Sequence, residues 1–137
     1  MAKVIADAGP LVAYLTNREH YHDWARVHME CFEPPLLTCE PVLTEASFLL
    51  ARQGFDPGQL LTLLERGVLQ IGFAIQEYAG PLRKLMQRYR NVPMSLADAC
   101  LVLLSEMHDG ATVWTLDSHF SVYRRQGRRI ISTLMPP

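Results

Sequence analysis

Four acidic residues far apart in the chain, Asp7, Glu45, Asp98 and Asp117, are the residues best suited to chemistry. Each also has a purely architectural reading. Asp7 stands just before Gly9-Pro10, where a helix opens, and reads as its cap; Asp117 reads as the cap of a short helix over Ser118 to Arg125. Asp98 lies three residues after Ser95, and Ser-x-x-Asp resembles a capping box with Asp in place of Glu. Glu45 reads as a solvated helix residue. Together the four ask for more, because all fall at strand ends or first helical turns, positions that meet at one rim of a parallel sheet. Two carboxylates about 4 Å apart repel by roughly 4 kcal/mol at an effective dielectric near 20. A divalent cation removes that penalty, and an oxygen-only donor set points to Mg²⁺ or Mn²⁺ rather than zinc. Such a site suits phosphodiester hydrolysis. One cation can generate the nucleophile from water, and the same or a second cation can stabilise the leaving oxygen. Glu45 and Asp117 are the best candidates for orienting that water.

The elements that must position these acids alternate. Met1 to Asp7 reads as a strand, with its body at Lys3 to Ala6, and Gly9-Pro10 opens a helix. His20 to Phe32 reads as a second helix and Leu36 to Thr38 as a short strand. Pro41 opens a third helix through Val42, Leu43, Ala46, Leu49 and Leu50, ending near Gly54. Glu45 sits at the edge of its apolar stripe. Asp56 caps the next helix, whose buried side is Leu60, Leu61 and Leu64. Val68 to Phe73 is a strand. Leu82, Leu85, Met86 and Tyr89 recur at helical spacing, with Gly80-Pro81 kinking or restarting that helix. Ser95 caps a helix to about Met107 in which every residue from Leu96 to Leu104 except Asp98 is apolar, so Asp98 is expected to be at least partly buried. Thr112 to Leu116 is the fourth strand, a short helix follows Asp117, and Arg129 to Thr133 is the last strand. Strands separated by helices imply an α/β chain: a parallel sheet of four to five strands between helical layers, in one domain over 1–137.

Composition sets the bounds. With 137 residues, 49% hydrophobic and 20% charged, the chain suits one globular domain rather than two, or a disordered tract. No apolar run is long enough for a bilayer, and the first residues lack the apolar core of a secretion signal. The three cysteines, Cys31, Cys39 and Cys100, are odd in number and form no CxxC pair. They read as small buried residues of a protein in the reducing cytoplasm. Net charge is −1, but Met1 to Arg66 holds five Lys/Arg against nine Asp/Glu, and Gly67 onward eight against five. The later part therefore leans basic.

Four segments resemble motifs of one family. Ile5-Ala6-Asp7-Ala8-Gly9-Pro10-Leu11-Val12-Ala13-Tyr14-Leu15 resembles the opening of PIN-domain proteins, especially the VapC-like toxins. Leu43-Thr44-Glu45-Ala46 resembles their second acidic motif, Pro93 to Val102 their third, and Thr115-Leu116-Asp117-Ser118-His119-Phe120 their fourth. Order and spacing agree over essentially the whole chain. The resemblance implies a PIN fold and an endoribonuclease dependent on Mg²⁺ or Mn²⁺, with Asp7, Glu45, Asp98 and Asp117 as the metal-site acids. Thr115 lies where the family often places a supporting hydroxyl. The family also implies RNA as substrate, a cognate antitoxin that silences a toxin, and a homodimer.

Arg124-Arg125-Gln126-Gly127-Arg128-Arg129 is a basic patch whose Arg124, Arg125 and Arg128 are candidate RNA phosphate contacts; its plain alternative is a solvated helix end and turn. His20-x-His22 is too short for a metal motif, and both read as surface residues. His119 could approach a phosphate but reads first as surface. Trp24 and Trp114 read as core. Tyr14, Leu15 and Phe48 suit either packing or a protein-binding groove. Two other functions compete: a PIN-like module that binds RNA or protein without cutting, and a different Mg²⁺ enzyme. A phosphatase of the Asp-x-Asp type lacks its second acid in Asp7-Ala8-Gly9. A phosphoacceptor receiver lacks its late lysine, since the only lysines are Lys3 and Lys84.

Overall fold

A computed structural model describes residues 3–137, and the expected strand content of Met1 and Ala2 lies outside them. The chain runs β1 (Val4–Ala6), α1 (Ala8–Leu15), α2 (His22–Cys31), β2 (Leu36–Thr38), α3 (Glu40–Arg52), α4 (Gly58–Glu65) and β3 (Leu69–Ile71). It continues through α5 (Ala79–Arg88), α6 (Leu96–Met107), β4 (Thr112–Trp114), β5 (Arg124–Arg125), β6 (Arg129–Ile130) and β7 (Thr133–Leu134). Single 3₁₀ turns stand at Ile75–Tyr78 and Ser118–Ser121.

The five-stranded sheet has the order β3-β2-β1-β4-β7, and every pairing in it is parallel. The register places Ile5 beside Leu37 on one side and Val113 on the other. Strand order therefore grows from β1 toward β3, then jumps back to put β4 on the opposite flank of β1. That reversal opens a crevice at the carboxyl ends of β1 and β4.

The expected α/β sandwich stands, and its centre is α6. Ser95 opens that helix with a capping box: its hydroxyl accepts the Asp98 N–H at 3.0 Å, and the Asp98 carboxylate accepts the Ser95 N–H at 3.3 Å. Ala97 to Ser105 are all buried, as a helix apolar on every face must be when it fills the middle of a domain. It packs against β1, β4, α3 and α5. Trp114, Ile5 and Val113 of the sheet are wholly excluded from solvent, and Trp24 lies half-buried against Trp114 with ring centroids 5.9 Å apart.

Several boundaries differ from the sequence expectation. Arg129 to Thr133 is not one strand. Arg129–Ile130 turns back on Arg124–Arg125 as a small antiparallel hairpin, while Thr133–Leu134 joins the main sheet beside β4. Gln126 and Gly127 in the turn both adopt positive φ, so the basic patch is a hairpin and not a helix end. Asp56 acts one residue earlier than a formal cap, accepting the Gly58 N–H at 2.8 Å. Cys39 and Cys100 are buried as expected, but Cys31, at the end of α2, is exposed. His22 is half-buried, with Nδ1 2.7 Å from the Ala13 carbonyl oxygen, so it ties α2 to α1.

Gly72 follows β3 and donates its N–H to the Thr38 carbonyl at 3.0 Å. A Cβ there would stand 2.3 Å from Cδ2 of Leu104, a fully buried α6 residue. Gly72→Ala is expected to cost about 1–3 kcal/mol by overpacking. Leu104→Ala alone should cost about 2–5 kcal/mol. The double variant should lose clearly less than the two together, measured by urea unfolding. Strict additivity would show that the two sites do not share this space.

Candidate active site

The acids converge because of where their elements begin. Asp7 is the residue after β1 and the N-cap of α1: its Oδ1 accepts the Ala8 N–H at 2.7 Å. Gly9 in the first turn of α1 lies against Leu116, and a Cβ there would sit 3.1 Å from that side chain, so a small residue brings the helix start close to the end of β4. Asp98 is the third residue of α6. Asp117 caps the 3₁₀ turn after β4, with Oδ1 accepting the His119 N–H at 2.8 Å. Glu45 projects from the exposed side of α3, one turn into the helix, while Val42 and Ala46 face the core.

The four carboxylates line a single cavity of about 480 Å³, together with Gly9, Leu49, Pro93, Ser95, Leu116 and His119. Asp7 and Asp98 are each only 7% exposed. Asp7 has its proton affinity raised to about 6, first by burial, against the opposing hydrogen bonds of Thr115 and Ala8, and then by the charges of Asp98 and Glu45. Glu45 is raised by burial and then by Asp98 and Asp117. Asp98 is raised by burial and by Asp117, with the bonds from Tyr123 and Ser95 opposing. The acids thus feel one another, as carboxylates on one rim must.

Two hydroxyls hold the rim. Thr115, wholly buried, donates to Asp7 Oδ2 at 2.6 Å and accepts the Asp117 N–H at 2.9 Å, so the expected supporting hydroxyl touches two of the acids. Tyr123, also wholly buried, donates to Asp98 Oδ2 at 2.9 Å, a contact the sequence did not suggest. His119, read first as a surface residue, stands on the cavity wall with Nδ1 2.9 Å from Asp117 Oδ1. The three arginines proposed for RNA do not line this cavity. Arg124 turns its guanidinium onto the carbonyls of Ser121, Val122 and Tyr123, and Arg125 pairs with Asp109 at 2.7 Å. Arg128 is exposed in the hairpin turn.

Among the described residues, no three His, Cys, Asp or Glu side chains come close enough together to hold a metal ion as they stand. The donor set nevertheless fits a hard cation. It is all oxygen, and neither Asp98 Oδ1 nor Asp117 Oδ2 has a hydrogen-bond partner among the described residues. The cavity leaves room for a hydrated ion, and Mg²⁺ commonly keeps several waters while taking one or two carboxylates. A separate groove of about 410 Å³ beside α5, lined by Ile75, Leu82, Met86 and Leu96, holds no carboxylate.

The raised affinity of Asp7 has a thermodynamic sign. The folded chain binds the proton more tightly than the unfolded chain, so stability falls as pH rises from about 4 through about 6. In EDTA at pH 7.5, Asp7→Asn should therefore melt higher than the parent, by at most roughly 3 kcal/mol at 1.36 kcal/mol per pH unit. The gap should close below about pH 4, where both side chains are neutral. Thermal unfolding across that range checks it, and a gap that ignores pH would show that Asp7 is not under electrostatic load.

No protein-family model and no curated protein sequence matches the chain. Among solved structures it is similar to VapC20 of Mycobacterium tuberculosis, described as a sarcin-ricin loop cleaving toxin. The TM-score is 0.75 at 18% identity, over 88% of this chain and 94% of that one. The fold expected from the four motifs is the fold found: the chain shares the fold of that VapC structure, a parallel sheet between helical layers.

Proposed function

We propose that this protein is an endoribonuclease that hydrolyses RNA phosphodiester bonds with the help of Mg²⁺ or Mn²⁺. The observation that carries the reading is the convergence of Asp7, Glu45, Asp98 and Asp117 on one cavity at the crevice between β1 and β4. The likeness to a toxin described as cleaving the sarcin-ricin loop supports it.

A bound divalent cation would supply Lewis acidity toward the scissile phosphate and acidify water. The chain's own residues set the rest. Asp98 and Asp117 line the cavity and would offer the oxygens left free of hydrogen bonds, and Asp7, held by Thr115 and the α1 cap, would complete the donor set. Glu45 is the acid without a hydrogen bond from its neighbours and with raised proton affinity, so it is the one suited to take a proton from the attacking water. Leu49, Pro93 and Leu116 form the apolar part of the wall.

The same reading assigns a toxin restrained by a cognate antitoxin, working as a homodimer in the cytoplasm, where its RNA is. No helix among the described residues is long and apolar enough to cross a membrane.

Purified chain freed of any antitoxin should cut RNA, structured tRNA included, when given Mg²⁺ or Mn²⁺, and EDTA should stop it. Glu45→Gln should lower kcat by about 10²- to 10⁴-fold, the usual worth of a positioned base. Asp98→Asn should fall to background while the Ser95 hydroxyl still caps α6. Absence of cleavage with either metal across a broad RNA panel sinks the reading. In cells, induced expression should arrest growth and the Asp98→Asn chain should not; equal arrest by both would separate toxicity from the site.

A further inference from the structure

Asp98 and Asp117 are each hydrogen-bonded on one side only. Asp98 Oδ2 accepts two donors, the Tyr123 hydroxyl at 2.9 Å and the Ser95 N–H at 3.3 Å. Asp117 Oδ1 likewise accepts the His119 N–H at 2.8 Å and faces His119 Nδ1 at 2.9 Å. A carboxylate oxygen has two in-plane lone pairs, so two donors fill it. Asp7 differs: each of its oxygens takes a single donor, from Ala8 and from Thr115, and each keeps a lone pair.

We propose that Tyr123 and His119 confine Asp98 and Asp117 to one usable oxygen each, and so make the site select Mg²⁺ or Mn²⁺ over Ca²⁺. Ca²⁺ takes six to eight oxygens and readily grips a carboxylate through both; Mg²⁺ demands a tight octahedron and is served by single oxygens and water. A carboxylate whose second oxygen is already filled cannot grip an ion with both. Tyr123 is well placed to enforce this because it cannot swing away. It is fully buried, packed edge-on by Tyr89 and Phe120 and stacked by His119, at centroid distances of 5.2, 5.3 and 6.5 Å. Tyr123 and His119 are positioning residues in this scheme. The inference rests on the proposed cation site, but its readout needs no RNA.

The test is binding of the metal alone to the full chain. Free Mn²⁺ is followed by electron paramagnetic resonance, with Mg²⁺ and Ca²⁺ as competitors. Tyr123→Phe keeps the ring and removes only the hydroxyl. It should move the Ca²⁺-to-Mg²⁺ affinity ratio toward Ca²⁺ by about tenfold, the lower end of what outer contacts of metal ligands contribute. His119→Ala, on a side chain 43% exposed and so safe for folding, should move it in the same direction. An unchanged ratio in both variants overturns the inference. So does an equal loss of affinity for both ions, which would mean that the hydroxyl only holds Asp98 in place. If Tyr123→Phe fails to fold, the His119→Ala ratio decides. A parent chain that binds no divalent cation would instead sink the cation site itself, and the selectivity with it.

Discussion

The buried hydroxyl of Thr115 is the joint on which the site depends. It donates to Asp7 and accepts from the Asp117 backbone, linking residues 108 apart in sequence in one case and two apart in the other. Those contacts tie the end of β1 to the end of β4, where the strand order reverses. Both strands are only three residues long, so the sheet has little ladder with which to fix their ends. A charge-assisted hydrogen bond does this better than another apolar contact, since it fixes direction as well as distance. It also offsets part of the cost of burying the Asp7 carboxylate, whose proton affinity would otherwise climb further.

The architectural and chemical readings of the aspartates turn out to be the same reading. Asp7 and Asp117 each cap a helical element with one part of the carboxylate, and Asp98 completes the capping box that Ser95 opens. For α1 and α6 the helix start also lends its partial positive charge to the acid. Capping thus solves two problems together: it satisfies orphan N–H groups and aims the acids at a common space. Glu45 is the exception. It is held by its place on α3 alone, which leaves it the most exposed of the four and the freest to exchange protons.

Much of this was legible in the sequence because it is local. The cap at Ser95, the apolar stripe of α3 and the apolar run of α6 are set by residues within a turn or two of each other, and they place two of the acids, Glu45 and Asp98. What was not legible is non-local. Nothing in Phe120-Ser121-Val122-Tyr123 says that the Tyr123 hydroxyl reaches Asp98, because that contact is made only when the chain after β4 folds back over α6. The setting of the basic patch is partly non-local as well. Arg124 turns back onto the carbonyls of the three residues just before it, whereas Arg125 meets Asp109, 16 residues away in sequence. Cys31 looked like the other cysteines by type, yet the exposed end of α2 is no place for a buried thiol.

The caps have a consequence for how such a chain can change over generations. Asparagine caps a helix about as well as aspartate does. An aspartate codon becomes an asparagine codon by one G-to-A transition. At Asp7 or Asp117, a single base change therefore erases charge while leaving the helix start furnished with an acceptor. Descendants with a sound scaffold and a silent centre lie one mutational step away, and such scaffolds are the raw material from which binding proteins without chemistry arise.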